Sequence, residues 1–261
     1  MDYKYKKENY DFWVSRLKEN SPGKVCTNDL GLDALEAHQI LSKLSDGASI
    51  LEIGCGNGLL YEEIRNNFKI EKYVGTDFVE ELIAICESKK LNEKDQFFQL
   101  DMTELQPTTF DEKFDFILSK RAIQNVIDTQ LQIEAIDNFG SNLDSNGLMI
   151  LVESSQSGQN CINSERVKYD LDAIEAPFHN LFFDDERIRE YDFKNVELVD
   201  IHPFASDFYF ITRIIYARFA KEFLKEEPNY EHPLQKIALS MSEKLSTKDY
   251  SQIKTYIFKK K

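Results

Sequence analysis

The sequence predicts an α/β fold in which a mostly parallel sheet of seven strands carries helices on both faces. Apolar strand-like runs alternate with amphipathic helical segments from residue 47 to residue 153, and this alternation calls for parallel strands joined by crossover helices. Three alternate glycines stand where the first strand ends. Asp77 ends the second strand about 20 residues later, a spacing typical of α/β folds that hold a ligand at their strand ends.

Taken in order, the elements begin with two helices. Apolar residues recur at helical spacing in 3–20 and 30–44, and we interpret residues 1–46 as an N-terminal helical cap. Residues 47–261 form the main unit, with insertions at about 154–184 and 204–250, the first of them irregular. After the first strand, strands are predicted at 72–76, 97–100, 114–119, 147–153, 196–202 and 253–259, and helices at 59–68, 79–90, 129–143 and 208–225.

The glycine-rich segment after the first strand is the most informative part of the chain. Residues 51–58 read Leu-Glu-Ile-Gly-Cys-Gly-Asn-Gly, and such glycines suit a backbone that turns with positive φ or approaches a ligand closely. A ligand-free tight turn would use the same residues, but Asp77 stands where a carboxylate accepts hydrogen bonds from a ribose. Glu52 would repel a pyrophosphate at this turn, whereas it would attract the sulfonium and ammonium groups of S-adenosylmethionine.

An acidic residue followed by Gly-x-Gly-x-Gly resembles the first motif of class I S-adenosylmethionine-dependent methyltransferases. The resemblance covers roughly residues 47–153 and includes Asp101-Met102 after the third strand. It implies a Rossmann-like sheet with an antiparallel last strand, S-adenosylmethionine as cofactor and S-adenosylhomocysteine as product. The cofactor-binding residues assigned in this way are Glu52, Gly54, Cys55, Gly56, Gly58, Asp77, Phe78, Asp101, Met102 and Ser119.

The methyl acceptor calls for either a base or a cationic clamp. A hydroxyl acceptor needs a base, and His179, in the predicted loop after the fifth strand, is our candidate. An anionic acceptor needs a cation instead, and Arg121 follows the fourth strand. Each residue also has a purely structural alternative. His179 could pack between aromatic neighbours, and Arg121 could occupy a solvated surface position. Asn125, Asn180 and Arg166 are further candidates for binding the acceptor.

Three short segments, 27–31, 119–126 and 177–183, resemble methyltransferases of bacterial surface-polysaccharide biosynthesis. This resemblance implies a small-molecule or carbohydrate acceptor, either a sugar hydroxyl or a phosphate or phosphoramidate group destined for capsule or lipopolysaccharide. Three other readings stay open: an NAD-linked dehydrogenase, which Glu52 and the glycine spacing disfavour, a protein methyltransferase, and a non-catalytic cofactor-binding partner of another enzyme.

Composition limits the partners that the chain can have. Its 261 residues carry a net charge of −14, which argues against nucleic acid because phosphate backbones are bound largely by Lys and Arg. The four cysteines show no paired spacing, so we expect no metal site and no disulfide framework. We predict neither a signal peptide nor a membrane span, and therefore a cytoplasmic protein.

Overall fold

A single seven-stranded sheet organises the computed structural model, which describes residues 3–242, 244 and 249–261. The strands are β1 (Ser49–Ile53), β2 (Lys72–Asp77), β3 (Gln96–Gln99), β4 (Phe114–Lys120), β5 (Leu143–Ser154), β6 (Val196–Pro203) and β7 (Ile253–Lys260). Their order across the sheet is β3-β2-β1-β4-β5-β7-β6. β1 to β5 pair in parallel, whereas β7 lies antiparallel between β5 and β6. The predicted fold class, a Rossmann-like sheet with an antiparallel last strand, is confirmed.

Ten α-helical segments are assigned within the described residues. They are α1 (Tyr3–Glu19), α2 (Leu30–Leu41), α3 (Leu59–Asn67), α4 (Glu80–Ser88), α5 (Thr129–Gly140), α6 (Gln156–Val167), α7 (Asp185–Glu190), α8 (Ser206–Phe210), α9 (Tyr216–Phe219) and α10 (Pro233–Met241). π-helical turns at Ile211–Ile215 and Ala220–Leu224 join α8 to α9 and extend α9, so that residues 206–224 form one continuous helical stretch. No helix of the described residues has both the length and the apolar character needed to cross a bilayer.

Strand alternation places one hydrophobic core on each face of the sheet. Ile50 of β1 packs in a core with α2, α3 and α8, whereas Leu51 and Ile53 pack on the opposite face with α5 and α7. Side chains of successive residues point to opposite faces, and both faces of β1 are covered. Its apolar sequence follows from that double burial.

Two predicted segments, one on each side of β5, differ from the structure, and β5 itself begins at Leu143, ahead of the predicted residue 147. The segment 154–184 was predicted to be irregular, yet α6 occupies Gln156–Val167, and the Ser155 side chain caps it by accepting from the amide of Gly158 at 3.1 Å. Polar residues dominate this helix and hide its periodicity. The helix predicted over 129–143 ends at Gly140, because the chain turns there and β5 begins at Leu143.

Candidate functional site

The glycine turn between β1 and α3 can be built only with glycine. Gly54, Gly56 and Gly58 have φ values of 73°, 54° and 77°, in the left-handed region that side chains disfavour. A Cβ atom on Gly54 would lie 2.1 Å from the Cβ of Ala122, and one on Gly56 would lie 2.8 Å from the Sγ of Cys26. The turn therefore needs both the conformational freedom and the small volume of glycine.

Asp77 fastens this turn to the end of β2. Its carboxylate accepts hydrogen bonds from the amides of Gly56 and Val79, both at 2.9 Å. Burial raises the pKa of Asp77 to about 6, against the opposing effect of these amides. The carboxylate is thus held at a fixed position beside the glycines, with lone pairs left for a ligand hydroxyl.

Glu52 lies on β1, paired in register with Gly75 of β2, and is buried. It accepts a hydrogen bond from the hydroxyl of Tyr73, and burial raises its pKa to about 7 in spite of that bond. A buried carboxyl with a raised pKa becomes fully ionised when a positive group comes close to it. This behaviour suits the cationic end of the cofactor inferred from the sequence.

These groups line one cavity, which we call the cofactor cavity. Seven of the ten predicted cofactor residues lie on its wall: Glu52, Gly54, Cys55, Gly56, Asp77, Phe78 and Met102. Asp101 lines an adjoining hollow together with Phe78 and Met102. Gly58 and Ser119 line neither space, because Gly58 starts α3 and Ser119 is fully buried.

Helix α1 forms the outer wall of the cofactor cavity. Lys6 contacts Asp101, with 2.5 Å between Nζ and Oδ2, while Asn9 and Trp13 line the cavity itself. Asn9 also donates from Nδ2 to the backbone oxygen of Asn125 at 3.2 Å. Sequence reasoning did not assign Lys6 or Asn9 to the site, since the polar positions of an amphipathic helix look alike before its packing is known.

Glu153, another residue that sequence reasoning missed, holds the turn after β4. Its buried carboxylate accepts from Ser119 Oγ at 3.0 Å and from the amides of the next turn. The amide donors are Ala122 at 3.1 Å, Ile123 at 3.0 Å and Gln124 at 3.2 Å. Four donors on one carboxylate fix the backbone that carries Arg121. Ser119 therefore supports this turn and lies away from the cofactor cavity.

Arg121 is already paired with acidic residues of α2. Its Nε lies 3.0 Å from Glu36 Oε2, and its Nη2 lies 3.6 Å from Asp33 Oδ1. Burial lowers the pKa of the guanidinium, but Glu36 and Asp33 outweigh it and raise the net value. The residue has a φ of 54°, which turns the chain sharply beyond β4. Two acidic groups of α2 thus already contact its guanidinium, although burial raises the pKa of Glu36 to about 7 and Lys120 shares Asp33 at 2.5 Å.

A second cavity, the acceptor cavity, adjoins the first and has a volume of about 390 Å³. Trp13, Cys26 and Arg121 line both cavities and mark where they meet. Elsewhere its wall includes aromatic rings and carboxamides: Phe12, Phe182, Tyr209 and Tyr230, and Asn28, Gln124, Asn180 and Gln252. Such a mixture is typical of pockets for small polar molecules.

His179 lies on the wall of the acceptor cavity within a group of aromatic rings. Its imidazole stacks on Phe12 at a centroid distance of 4.0 Å and meets Trp13 edge-on at 5.6 Å. The residue is 8% exposed, and within the described part of the chain its Nδ1 has no hydrogen-bond partner. Burial, with the charge of Arg16 adding to it, lowers the pKa of His179 to about 4. The imidazole is thus neutral at physiological pH.

The other three acceptor candidates occupy different places. Asn180 lines the acceptor cavity, whereas Asn125 lines the cofactor cavity and donates to the backbone oxygens of Arg121 and Ala122 at 3.1 Å. Arg166 lies outside both linings and donates to the backbone oxygens of Asp172 and Arg213. No group of three His, Cys, Asp or Glu side chains suited to a metal ion occurs in the described part of the chain.

Comparison with known proteins gives a family match. A protein-family model described as a methyltransferase domain matches residues 32–198, which is more than half of the chain. A malonyl-[acyl-carrier protein] O-methyltransferase of Bacillus anthracis is 28% identical over 120 residues, covering 44% of this chain. The aligned region spans only 42% of that relative, and the same shares hold for its Bacillus cereus counterpart.

Solved structures share the fold at low sequence identity. The N-methyltransferase NodS from Bradyrhizobium japonicum, in complex with S-adenosylhomocysteine, superposes with a TM-score of 0.56 at 13% identity, covering 97% of this chain and 98% of NodS. The cyclopropane synthase MmaA2 from Mycobacterium tuberculosis gives a TM-score of 0.52 at 14% identity, covering 87% of this chain and 83% of the synthase. The architecture is thus shared with proteins of different named activities.

Proposed function

The chain belongs to the methyltransferase domain family. We propose that it is an S-adenosylmethionine-dependent methyltransferase and that it methylates an oxygen of a small polar molecule held in the acceptor cavity. One observation carries this proposal: the acceptor cavity opens directly beside the cofactor cavity, and Trp13, Cys26 and Arg121 belong to both walls. Methyl transfer needs a donor and an acceptor aligned across such a junction.

The residues of the cofactor cavity fit S-adenosylmethionine. Gly54 and Gly56 leave space that a Cβ would fill, and Asp77 offers a fixed carboxylate to a ribose diol. Glu52 provides a buried carboxyl at the end where a positive group would lie. When bound, the cofactor supplies the methyl group, while the protein positions the acceptor and excludes water through α1.

A hydroxyl, and a sugar hydroxyl first, is our candidate for the accepting group. Carboxamides both donate and accept hydrogen bonds, as hydroxyls do, and aromatic rings pack against the apolar faces of small molecules. The Bacillus relatives are named as O-methyltransferases, which supports oxygen as the accepting atom here. A phosphate or phosphoramidate oxygen is the second candidate. It receives less support, because Arg121 is already paired with Glu36 and Asp33.

His179 is the proposed base for a hydroxyl acceptor. Its imidazole is neutral at physiological pH, and its Nδ1 is buried with no hydrogen-bond partner among the described residues, so the ring must shift before Nδ1 can accept a proton from the acceptor. A base with a pKa of about 4 is weak, so we expect its contribution near the lower end of the usual range for general-base catalysis, about 10²-fold. Binding and alignment would supply most of the rate enhancement.

The test begins with cofactor binding and then moves to turnover. S-adenosylhomocysteine should bind in calorimetry with one site per chain, and NAD should not bind. Release of S-adenosylhomocysteine from S-adenosylmethionine should then be measured with sugars, sugar phosphates and a protein extract separated by size. Turnover confined to the small-molecule fractions is the expected result. Turnover with the protein fraction alone would support a protein methyltransferase, and binding without turnover in any fraction would support a non-catalytic partner.

A further inference from the structure

Arginines outnumber carboxylates by one on the wall of the acceptor cavity, although the chain as a whole is acidic. Among the described residues, three arginines line this cavity: Arg16, Arg121 and Arg213. The two carboxylates on the same wall are Asp29 and Glu175. A local excess of arginine in a chain of net charge −14 needs an explanation from the cavity itself.

Two of the three guanidinium groups lie within ion-pair distance of carboxyl groups. Arg121 is paired with Glu36, as described above. Arg213, on the helical stretch 206–224, lies 2.5 Å from Asp29 Oδ2 and within 5.5 Å of the ring centroid of Tyr209. Asp29 in turn caps α2 by accepting from the amide of Leu32. The Arg213–Asp29 pair therefore joins the insertion to the N-terminal cap.

Arg16 differs from these two, because no carboxylate of the described residues lies within ion-pair distance of it. Its Nε donates to the backbone oxygen of Val25 at 3.1 Å, and its Nη2 donates to Lys24 O at 2.8 Å and Asn28 Oδ1 at 3.1 Å. These neutral acceptors hold the guanidinium in one orientation without cancelling its charge. Its positive charge also acts on the nearby His179 and helps to keep that imidazole neutral.

We propose that Arg16 binds an anionic group of the acceptor, a carboxylate or a phosphate, at the end of the acceptor cavity away from the reacting atom. Arg16 lines the acceptor cavity but not the cofactor cavity. Trp13, one helical turn earlier on α1, lines both. A guanidinium held by neutral groups is a preorganised anion site, since its remaining N–H donors point to fixed positions. This inference rests on the proposed function and specifies its substrate class.

Trp13 offers a direct measurement of binding. It is the only tryptophan of the chain, and it lies on the walls of both cavities. The protein is first saturated with S-adenosylhomocysteine and then titrated separately with succinate and with inorganic phosphate at constant ionic strength, while tryptophan fluorescence is recorded. At least one anion should bind saturably, and the anion that binds identifies the charged group.

Three variants distinguish a specific anion-binding site at Arg16 from an effect of the overall charge of the protein. Arg16→Gln should weaken binding of that anion by about 10-fold to 100-fold, because a charged hydrogen-bonding partner is lost. Lys18→Gln removes the same charge from an exposed position of α1 and should leave anion binding unchanged. Arg16→Lys keeps the charge but not the planar fork, and it should weaken binding by a smaller factor. If Arg16→Gln does not fold, the anion affinity of Arg16→Lys is compared with that of wild type, and an unchanged affinity would overturn the inference.

The possible outcomes distinguish this inference from the proposed function. A wild-type protein that binds S-adenosylhomocysteine but neither anion would overturn the inference and leave the proposed function standing. Equal losses in Arg16→Gln and Lys18→Gln, or no loss in Arg16→Gln, would also overturn it. Failure of wild type to bind S-adenosylhomocysteine would count against the proposed function itself, whatever the anions do.

Discussion

Lys6 of α1 reaches across to Asp101, with 2.5 Å between Nζ and Oδ2, and so fastens the N-terminal helix to the turn after β3. Burial would raise the pKa of Asp101, but hydrogen bonds from Lys6 and Thr103 outweigh it and hold the pKa below its usual value. The carboxylate that the family resemblance assigns to cofactor binding is therefore also the attachment point of the helix that lines the cavity.

Replacing Lys6 tests whether this attachment matters for cofactor binding. Lys6→Met should weaken S-adenosylhomocysteine binding by no more than about 5-fold, since partly exposed ion pairs contribute roughly 0.2–1 kcal/mol. Lys7→Met, which removes an exposed lysine paired with Asp11, is the matched control and should bind normally. Calorimetry gives both dissociation constants. Equal affinities in the two variants would mean that the Lys6–Asp101 pair does not support the cavity.

A pair of glycine variants separates backbone strain from loss of space. Gly47 and Gly54 both have positive φ, 82° and 73°, but only the added Cβ of Gly54 meets another atom, Ala122 Cβ at 2.1 Å. Gly47→Ala should cost about 1–2 kcal/mol in the free energy of unfolding. Gly54→Ala should cost more and abolish cofactor binding. Denaturant unfolding and calorimetry measure the two effects, and similar behaviour of both variants would contradict the assigned role of Gly54.

Cofactor binding should depend on the ionisation of Asp77. Burial holds its pKa at about 6 in the protein, above the ordinary value of 3.8, so the protonated form persists to a higher pH than in the unfolded chain. The ionised form accepts hydrogen bonds from a ribose, and affinity for S-adenosylhomocysteine should therefore fall as the pH drops through about 6.

Variants of Asp77 complete this prediction. Asp77→Ala should lower the affinity by about one to two decades, because hydrogen bonds to a charged acceptor are worth roughly 1.5–3 kcal/mol. Asp77→Asn should not restore it, since both carboxylate oxygens already accept amide protons and an NH₂ group would face one of those donors. An affinity that is constant from pH 5 to pH 8 in wild type would count against this assignment.

His179 can be tested without disturbing its packing. His179→Phe keeps an aromatic ring against Phe12 but removes Nδ1. For a hydroxyl acceptor, the variant should lose about 10²-fold in kcat with little change in cofactor affinity. Because burial lowers the pKa of His179 to about 4, protonation of this group should not reduce the wild-type rate until the pH approaches 4. A fall in kcat near pH 6.5 that disappears in His179→Phe would contradict the burial of the ring.

Glu153→Gln tests the support of the turn after β4. The carboxylate accepts four hydrogen bonds, and a carboxamide would turn an NH₂ group towards donors that need an acceptor. The variant should lose about 1–3 kcal/mol in the free energy of unfolding. Denaturant unfolding measures this loss, with Glu197→Gln, at an exposed pair with Lys259, as the control. Equal stabilities of the two variants would exclude a structural role for Glu153.

The sheet and the cofactor cavity could be predicted because their signals are local in the sequence. Strands β1 and β2 show their apolar character within a few residues, and the glycines and Asp77 follow at the strand ends that parallel pairing brings together. Glu153 was not predicted, because its contacts are distant in the sequence. Its four donors lie about 30 residues earlier in the chain, and only the pairing of β4 with β5 brings them near.

The acceptor cavity was harder to predict because segments from distant parts of the chain form it. His179 and Asn180 were identified from their place after β5, and both line the cavity. Arg16 and Arg213 come from opposite ends of the sequence, so nothing in their local surroundings indicates that they share a wall. Arg166 was proposed for its charge, but the backbone oxygens of Asp172 and Arg213 accept its hydrogen bonds instead.

Both cavities combine residues from inside and outside the matched region, but those after the match line only the acceptor cavity, and this has an evolutionary consequence. The family match spans residues 32–198 and includes the glycine turn and Asp77, whereas Arg16 precedes it and Arg213 and Tyr230 follow it. Substitutions at Arg16, Arg213 or Tyr230 would alter only the wall of the acceptor cavity, whereas Trp13 of α1 belongs to both walls and Asn9 to that of the cofactor cavity. Divergence at those three positions would leave the glycine turn and Asp77 unchanged, so the two walls could evolve separately there.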